Sequence, residues 1–212
     1  MAINQQFSKE YLKSKLEMDD LNMDPFVQFR YWLNDATKVY GVDASTMILA
    51  TSDLTGKPSA RVVLLKGFSD EGFVFYTNYD SRKGKEIAVN PNAALVFFWP
   101  EPERQVRIEG RIEKTSRKES DEYYNIRPES SNISAWISPQ SQRIPDREYL
   151  EHQARDYRNF YRHKIAERPE NWGGYRLIPD QFEFWQGREN RLHDRFEYKW
   201  TSGGWEIYRL AP

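Results

Sequence analysis

Residues 59–86 read SARVVLLKGFSDEGFVFYTNYDSRKGKE, and the order of apolar, turn and basic residues in this stretch decides the fold. The apolar run at 62–65 is short and partly β-branched, which is typical of a buried strand. A turn over 69–72 separates it from residues 73–77, whose side chains alternate as in a second strand. We therefore predict two strands that pair with each other as a hairpin.

A basic segment follows the second strand directly. Ser81, Arg82, Lys83 and Lys85 open a short helix that is expected to end at 90–91, where asparagine precedes proline. The first turn of a helix exposes unpaired N–H groups and the positive end of the helix dipole, so a serine with three cations there is typical of a phosphate site. A solvated basic turn is the alternative interpretation.

Two cations, Arg61 and Lys66, stand at the ends of the apolar run. Because they are five residues apart, a regular strand would point them to opposite faces, about 17 Å from each other at ~3.3 Å per residue. We do not expect them to hold the same anion. With the basic helix start, they predict two separate anionic groups.

The composition limits the class of protein. The 212 residues favour one large domain, and 31 Lys and Arg against 32 Asp and Glu argue against bulk binding of nucleic acid or anionic membranes. Aromatic residues make up 15% of the chain, which suits large buried surfaces or planar ligands. The absence of cysteine excludes disulfides and thiolate chemistry. No run approaches the ~18 apolar residues of a membrane span, and the polar start lacks a signal-peptide core, so a cytoplasmic protein is expected.

Local signals predict the remaining elements. Asp24 and Pro25 form a helix start, and Ser116 with Glu119 forms a capping box. We expect a mobile arm over 1–22 and a single domain over 23–212, built mainly from strands together with four helices. The predicted helices cover 24–41, 81–90, 116–127 and 146–166, the predicted strands also cover 46–51, 93–99, 105–113, 175–178, 181–185, 191–201 and 205–210, and 127–142 is a serine-rich loop.

This element order predicts a mainly β fold with peripheral helices (α+β), an antiparallel Greek-key barrel. Strand 191–201 is expected to carry Arg191, His193 and Arg195 in a row on one face, about 7 Å between neighbours. That face meets either solvent, as a surface with salt bridges, or an anionic planar ligand. Asp194 interrupts the apolar face and is expected to pair with an arginine or to sit in a bulge.

Five segments resemble the pyridoxine (pyridoxamine) 5′-phosphate oxidase family, from about residue 24 to 212. They are RVVLLK (61–66), FYTNYDSRKGKE (75–86), WISPQSQ (136–142), FWQGRENRLHDRF (184–196) and the terminal RLAP. The resemblance implies an FMN-binding split barrel, a homodimer in which both subunits build each active site, and the cofactor FMN. The implied reaction oxidises pyridoxamine or pyridoxine 5′-phosphate to pyridoxal 5′-phosphate, with dioxygen as acceptor and hydrogen peroxide as product.

The resemblance also implies the site residues, none of them a metal ligand. The residues implied for FMN are Arg61, Val62, Val63, Leu64, Leu65, Lys66, Tyr76, Thr77, Arg82, Lys83 and Gln105, joined from the other subunit by Gln140, Ser141, Trp185 and Arg195. Those implied for the substrate are Lys66, Tyr123, Arg127, Ser131, Arg191, Leu192 and His193. Arg191 and His193 would act at the reacting face of the pyridine ring.

Three other functions remain as alternatives. A flavin reductase with another substrate would have no reason to combine Lys66, Tyr123, Arg127 and His193. A catalytically silent protein that binds FMN or pyridoxal phosphate would keep these residues, and only an assay separates it from an oxidase. A nucleic-acid binder conflicts with the slightly negative net charge and the localised cations.

Overall fold

The first long helix shows how local sequence sets the boundaries of an element. Asp24 caps it by accepting a hydrogen bond from the N–H of Phe26 (2.8 Å), and Pro25 occupies the first turn. Gly41 ends it with a φ of 56°, a conformation that favours glycine. Phe29 and Trp32 are almost fully buried on one face, so the helix packs against the sheet as its apolar spacing predicts.

The computed structural model describes residues 10–162 and 166–212, which contain five helices and nine strands. The helices are α1 (Pro25–Tyr40), α2 (Arg82–Val89), α3 (Arg117–Ile126), α4 (Glu129–Ile137) and α5 (Arg147–Tyr161). The strands are β1 (Thr46–Ser52), β2 (Pro58–Leu64), β3 (Gly67–Ser69), β4 (Gly72–Asn78), β5 (Asn92–Trp99), β6 (Arg104–Lys114), β7 (Trp172–Gln186), β8 (Asp194–Thr201) and β9 (Gly204–Leu210). Short 3-10 helices cover Met18–Asp20, Gly41–Ser45 and Glu189–Arg191.

All the strand pairs are antiparallel, in the order β2-β1-β5-β6-β7-β4-β3, and β8 and β9 extend the sheet from β7. The two ends of this order, β2 and β3, are separated along the chain by only Leu65 and Lys66. The sheet must therefore curl until its edges meet, and the N–H of Lys66 donates to the carbonyl of Val74 (2.8 Å) at the junction. The result is a curled half-barrel whose core is filled by phenylalanines.

The predicted hairpin between 62–65 and 73–77 is wrong. β2 pairs with β1, and the strand that pairs with β4 across the 69–72 turn is the three-residue β3. The run is not buried in the single chain either, because Val62 is 64% and Leu64 44% exposed. Alternation gives the face of a strand but not its partner, and the backbone changes partner at Leu65.

The outward face of β1, β2 and β5 is apolar. Ile48 pairs with Val62 on one side and with Val96 on the other, so these side chains share a face. Ile48 and Phe98 are also exposed, by 41% and 48%. The nearly continuous apolar run at 93–99 would suit a strand buried on both sides, but in this chain one of its faces is exposed.

Long-range packing changes three more predicted elements. The serine-rich segment 127–142 contains α4 and is not a loop. Strands 175–178 and 181–185 are one strand, β7, which passes through an irregularity where Gly110 pairs with Pro179. A side chain at Gly110 would place its Cβ 2.0 Å from the carbonyl oxygen of Ile178, so the irregularity requires glycine. α5 ends at Tyr161, and residues 163–165 of the helix predicted to 166 lie outside the described residues.

Residues 10–22 run along the half-barrel. The N–H groups of Leu12 and Lys13 donate to Glu103 Oε2 (3.0 and 3.1 Å), and the N–H of Leu16 donates to Asp194 Oδ2 (3.1 Å). Residues 1–9 of the predicted arm lie outside the described residues, and its mobility stays a prediction. Within 10–162 and 166–212, no helix combines the length and the apolar character needed to cross a bilayer.

Candidate active site

A cavity of about 540 Å³ opens where the edges of the half-barrel meet. It lies between the end of β2, the end of β4, the start of α2, the end of α3 and the helix α4. We call it the junction pocket. The residues that line it are Val62, Val63, Leu64, Lys66, Tyr76, Thr77, Asn78, Lys83, Tyr123, Arg127, Ser131, Ser134, Ala135, Ser138, Gln140 and Trp172.

The start of α2 places Lys83 in this pocket. Ser81 caps the helix by accepting from the N–H of Gly84 (3.3 Å), as the sequence predicts. A Cβ at Gly84 would lie 2.0 Å from the carbonyl oxygen of Tyr79, so only glycine lets α2 approach the end of β4 this closely. Lys83 is consequently 9% exposed.

Lys83 is a buried cation that has only neutral partners. Its Nζ lies 3.2 Å from Thr77 Oγ1 and 3.1 Å from Gln140 Oε1, and it forms no ion pair with any carboxylate of the described chain. Burial, assisted by the charge of Arg61 and opposed by that of Glu86, lowers the pKa of Lys83 to about 8. An anion bound here would restore the usual preference for the charged form.

Arg127 is a second cation in the pocket that has no carboxylate partner among residues 10–162 and 166–212. Its Nη2 donates to the carbonyl of Ser131 (3.0 Å), while Nη1 is buried and has no hydrogen-bond partner in that part of the chain. Burial lowers its pKa from the ordinary arginine value. A buried donor without a partner carries a desolvation cost, which a ligand anion would remove.

The helix α4 lines the pocket with small polar residues. Ser131, Ser134, Ala135 and Ser138 recur at intervals of three and four positions, and all four line the cavity. This helical spacing was the signal in the sequence for Ser134 and Ser138, which are absent from the predicted site. The segment 127–142 is predicted to be a loop, and a loop has no helical face on which these serines would be grouped.

Arg61 and Arg82, both predicted to bind FMN, lie outside the pocket lining and share one carboxylate. Glu86 Oε2 lies 3.3 Å from Arg61 Nη2, and Oε1 lies 2.8 Å from Arg82 Nε. Burial alone would raise the pKa of Glu86, but hydrogen bonds from Ser59 and Thr51 and from Arg82 outweigh it and lower the pKa to about 2. Glu86 therefore stays ionised and offsets part of the charge of the two arginines.

The predicted row of Arg191, His193 and Arg195 does not form, because β8 begins only at Asp194. Arg191 lies in the 3-10 turn Glu189–Arg191, and both Asn190 and Arg191 have positive φ (56° and 62°), which is incompatible with a strand. The turn presents Arg191 at the surface, where it forms no ion pair with another described residue.

His193 is held in one tautomer by this turn. Its Nδ1 accepts a hydrogen bond from the N–H of Arg188 (3.1 Å), so its proton is on Nε2. Burial and the charges of Arg191 and Arg195 lower its pKa, which favours the neutral ring at pH 7. Its ring packs against Trp185 (4.6 Å between centroids) and, edge to face, against Tyr11 (5.3 Å).

Asp194, predicted to pair with an arginine or form a bulge, pairs with two arginines. Its Oδ2 accepts from Arg188 Nη1 and its Oδ1 from Arg209 Nη1, each at 3.0 Å. Together with the bond from Leu16, these contacts tie the turn to β9 and to the N-terminal segment. Asp194 breaks the apolar pattern for this reason.

Three predicted cofactor residues form a cross-strand row outside the pocket. Gln105 pairs with Trp185, and Trp185 pairs with Arg195, so all three share one face. Arg195 also donates from Nε and Nη2 to the two oxygens of buried Glu183 (2.9 and 3.0 Å). The single chain thus keeps this row and the turn at 189–193 apart from the pocket lining.

The pocket gathers eleven of the predicted site residues and omits the others. Those that line it are Val62, Val63, Leu64, Lys66, Tyr76, Thr77, Lys83, Tyr123, Arg127, Ser131 and Gln140. Those that do not are Arg61, Leu65, Arg82, Gln105, Ser141, Trp185, Arg191, Leu192, His193 and Arg195. Gln140 was expected to come from a second subunit, yet it bonds to Thr77 of its own chain (3.1 Å).

Comparison with known proteins matches both parts of the chain to one family. Residues 35–161 match the model of pyridoxamine 5′-phosphate oxidase, and residues 172–212 match that of the pyridoxine 5′-phosphate oxidase C-terminal dimerisation region. A pyridoxine/pyridoxamine 5′-phosphate oxidase of Leptospira interrogans is 51% identical over 205 residues, which are 96% of each chain.

Two solved structures support the fold. PhzG from Burkholderia lata, solved in complex with tetrahydrophenazine-1-carboxylic acid, superposes with a TM-score of 0.87 at 29% identity and covers 94% of this chain and 99% of its own. A pyridoxamine 5′-phosphate oxidase-related, FMN binding protein from Nostoc punctiforme gives a TM-score of 0.70 at 17% identity and covers 91% of this chain and 100% of its own. The predicted fold class, a mainly β split barrel with peripheral helices, is confirmed.

Proposed function

The chain belongs to the pyridoxine/pyridoxamine 5′-phosphate oxidase family, and from this premise we propose that it oxidises pyridoxamine and pyridoxine 5′-phosphate to pyridoxal 5′-phosphate. We further propose that FMN is its cofactor and that dioxygen is the acceptor, with hydrogen peroxide as product. The observation that carries the proposal is that one pocket holds two buried or half-buried cations, Lys83 and Arg127, which have no carboxylate partner among the described residues.

These cations fit ligands that carry phosphate. Within the described part of the chain, Lys83 offers a charged donor that meets only neutral acceptors, and Arg127 offers a buried Nη1 that has no hydrogen-bond partner. Charged hydrogen bonds to phosphate oxygens are stronger than neutral ones, and an anion would relieve the desolvation of both groups. The proposed cofactor and substrate each bring one phosphate.

We assign Lys83 to the FMN phosphate and Arg127 to the substrate phosphate. Lys66 and Ser131 line the pocket with Arg127, and Tyr123 adds a neutral donor. Val62–Leu64 would run along the flavin. FMN, when bound, would supply the acceptor for a hydride from the substrate carbon attached to the 4-position of the pyridine and the route for electrons to dioxygen. The protein groups bind and orient both molecules.

A second copy of the chain would complete the site with Arg191 and His193. Two observations support a dimer: residues 172–212 match a dimerisation region, and the exposed apolar face around Ile48 and Phe98 offers a surface that a subunit could cover. Arg191 would hold the substrate in reactive geometry. Neutral His193, with its proton on Nε2, would donate a hydrogen bond from that atom and orient the ring.

Aerobic incubation of the purified protein with FMN and pyridoxamine 5′-phosphate tests the function. We expect flavin absorbance bands from the protein, a rise in aldehyde absorbance and release of peroxide. Binding of FMN and pyridoxal 5′-phosphate without either product would identify a silent binding protein. Oxidation of an unphosphorylated planar acid in preference to the phosphorylated vitamers would identify a different substrate class.

The affinity for FMN is expected to depend on pH through Lys83. The pKa of Lys83 is lowered to about 8, so the free protein loses the cation as the pH rises through 8, whereas a bound phosphate dianion favours the protonated form. Affinity should therefore fall by about twofold from pH 7 to 8 and more steeply above that, approaching about tenfold for each pH unit. Quenching of flavin fluorescence between pH 7 and 9.5 measures it.

The matched control for this titration is Lys83→Met. Its affinity should be weaker at neutral pH and nearly independent of pH over the same range, because the group that titrates is gone. If the affinity for FMN fell equally with pH in wild type and in Lys83→Met, the pH dependence would belong to another group.

A further inference from the structure

Arg127 is held by an aromatic face where an acidic partner would be usual. Its Cζ lies 4.2 Å from the centroid of the Trp172 ring, and its only hydrogen bond in the described chain goes to the backbone carbonyl of Ser131. An ion pair with a carboxylate would fix the guanidinium but would also neutralise it. Stacking on an indole fixes it and leaves its charge available.

Trp172 is itself fixed from several sides. Its ring belongs to a cluster of three nearly parallel rings: Tyr123 lies 3.9 Å from Tyr76 at 17°, Tyr76 lies 5.6 Å from Trp172 at 15°, and Tyr123 lies 6.3 Å from Trp172 at 8°. Its backbone pairs with Asn78 of β4, and its backbone N–H donates to the carbonyl of Pro169 (3.1 Å). The residue as a whole is 6% exposed. The ring therefore has little freedom to move.

The cluster connects the three elements that surround the phosphate end of the pocket. Tyr76 belongs to β4, Tyr123 to α3 and Trp172 to β7. Arg127 follows α3 directly, so the cluster sets both the place of this helix end and the plane of the guanidinium. The sequence pattern contains no signal for this role, because Trp172 lies outside all five motifs.

We propose that Trp172 is a positioning residue that holds Arg127 as an uncompensated cation for the substrate phosphate. The inference rests on the proposed function in assigning that phosphate to Arg127. Trp172 acts through Arg127 and does not take part in the reaction. Its loss should weaken binding of the phosphorylated substrate and spare the chemical step.

The first measurement compares Trp172→Leu with wild type in the FMN-loaded protein. We expect KM for pyridoxamine 5′-phosphate to rise about tenfold, between the values for an exposed and a desolvated cation–π contact, with kcat within about twofold. For unphosphorylated pyridoxamine, kcat/KM should hardly change. Trp172→Phe keeps an aromatic face and should recover most of the loss. The proposal would be overturned if kcat/KM fell equally for both substrates in Trp172→Leu. It would also be overturned if Trp172→Phe did not recover the KM of wild type.

A double-mutant cycle separates positioning from general damage to the fold. Trp172→Leu, Arg127→Met and the double variant are titrated with inorganic phosphate and with pyridoxal 5′-phosphate, with FMN bound. Without Arg127, removing Trp172 should change binding by less than about twofold, whereas additive effects would show that Trp172 acts independently of Arg127. Because this readout is binding, it stands even if the protein fails to oxidise any vitamer, an outcome that would overturn only the proposed function.

Discussion

Arg191→Ala is expected to lower kcat by about 100-fold while the protein retains its full complement of FMN. Arg191 lies on the turn Glu189–Arg191, outside the junction pocket and remote in sequence from Lys83, so its loss leaves the proposed phosphate site of the cofactor unchanged. Its cation is not engaged by any carboxylate of the described chain, which leaves it available to the substrate. Turnover under saturating substrate and the ratio of flavin to protein absorbance measure the two effects.

The choice of alanine protects the backbone of the turn. Arg191 has a φ of 62°, and alanine shares the conformational preference of arginine there, whereas glycine would loosen the turn that fixes His193. Lys199→Ala, which removes an exposed cation from β8, is the control and should leave both quantities unchanged. A parallel loss of flavin and turnover in Arg191→Ala would refute the division between cofactor and substrate residues.

The same variant tests whether two subunits share each site. If Arg191 acts on the pocket of a partner, co-expression of Arg191→Ala with Lys83→Met produces mixed dimers that each contain one intact site. With random pairing in a two-fold symmetric dimer, about half of the dimers are mixed, so about a quarter of wild-type activity should return. The assay uses an FMN concentration that saturates the wild-type protein but not Lys83→Met. Activity no higher than that of the separate variants would place both residues in one chain's site.

Lys83→Met is the second variant with a large expected effect, a loss of FMN affinity. Methionine keeps much of the side-chain volume and removes the charge, so the buried site is not left with a large cavity. A charged hydrogen bond contributes about 1.5 to 3 kcal/mol, which corresponds to a Kd about 10- to 150-fold weaker. Titration of apoprotein with FMN, followed by flavin fluorescence, gives the value.

Lys85→Met provides the matched control. It lies two residues further along α2, is exposed, and changes the net charge by the same amount. If both variants lost affinity for FMN equally, the effect would come from the general positive potential of the helix start. If neither variant lost affinity, Lys83 would have no part in holding the phosphate. Loss confined to Lys83→Met would support the specific contact.

Features that depend on neighbouring residues were predictable. The capped start of α1 at Asp24, the glycine that ends it and the serine cap of α2 follow from side-chain and backbone chemistry within a few residues. The five motifs likewise identified the family, and Lys66, Lys83, Arg127 and Ser131 line one pocket as their predicted roles require.

Features that depend on distant partners were predicted less well. The partner of β2 was assigned to the nearest strand in sequence, although the chain switches from β1 to β4 at Leu65. The strand predicted from Arg191 starts three residues later, because a bond between Arg188 and His193 closes a turn there. Gln140 bonds to Thr77 of its own chain, and its contribution to the site of a second subunit stays a prediction.

The sequence by itself determined the family, the antiparallel architecture and the candidate cations for phosphate binding, because caps, alternation and motifs are local or linear properties. Only the tertiary structure decided which of those cations stay uncompensated: Glu86 engages Arg61 and Arg82, whereas Lys83 meets neutral oxygens and Arg127 meets the ring of Trp172. The physical reason is that the charge available to a ligand depends on which side chains folding brings within a few ångströms, and those partners lie far apart in the chain.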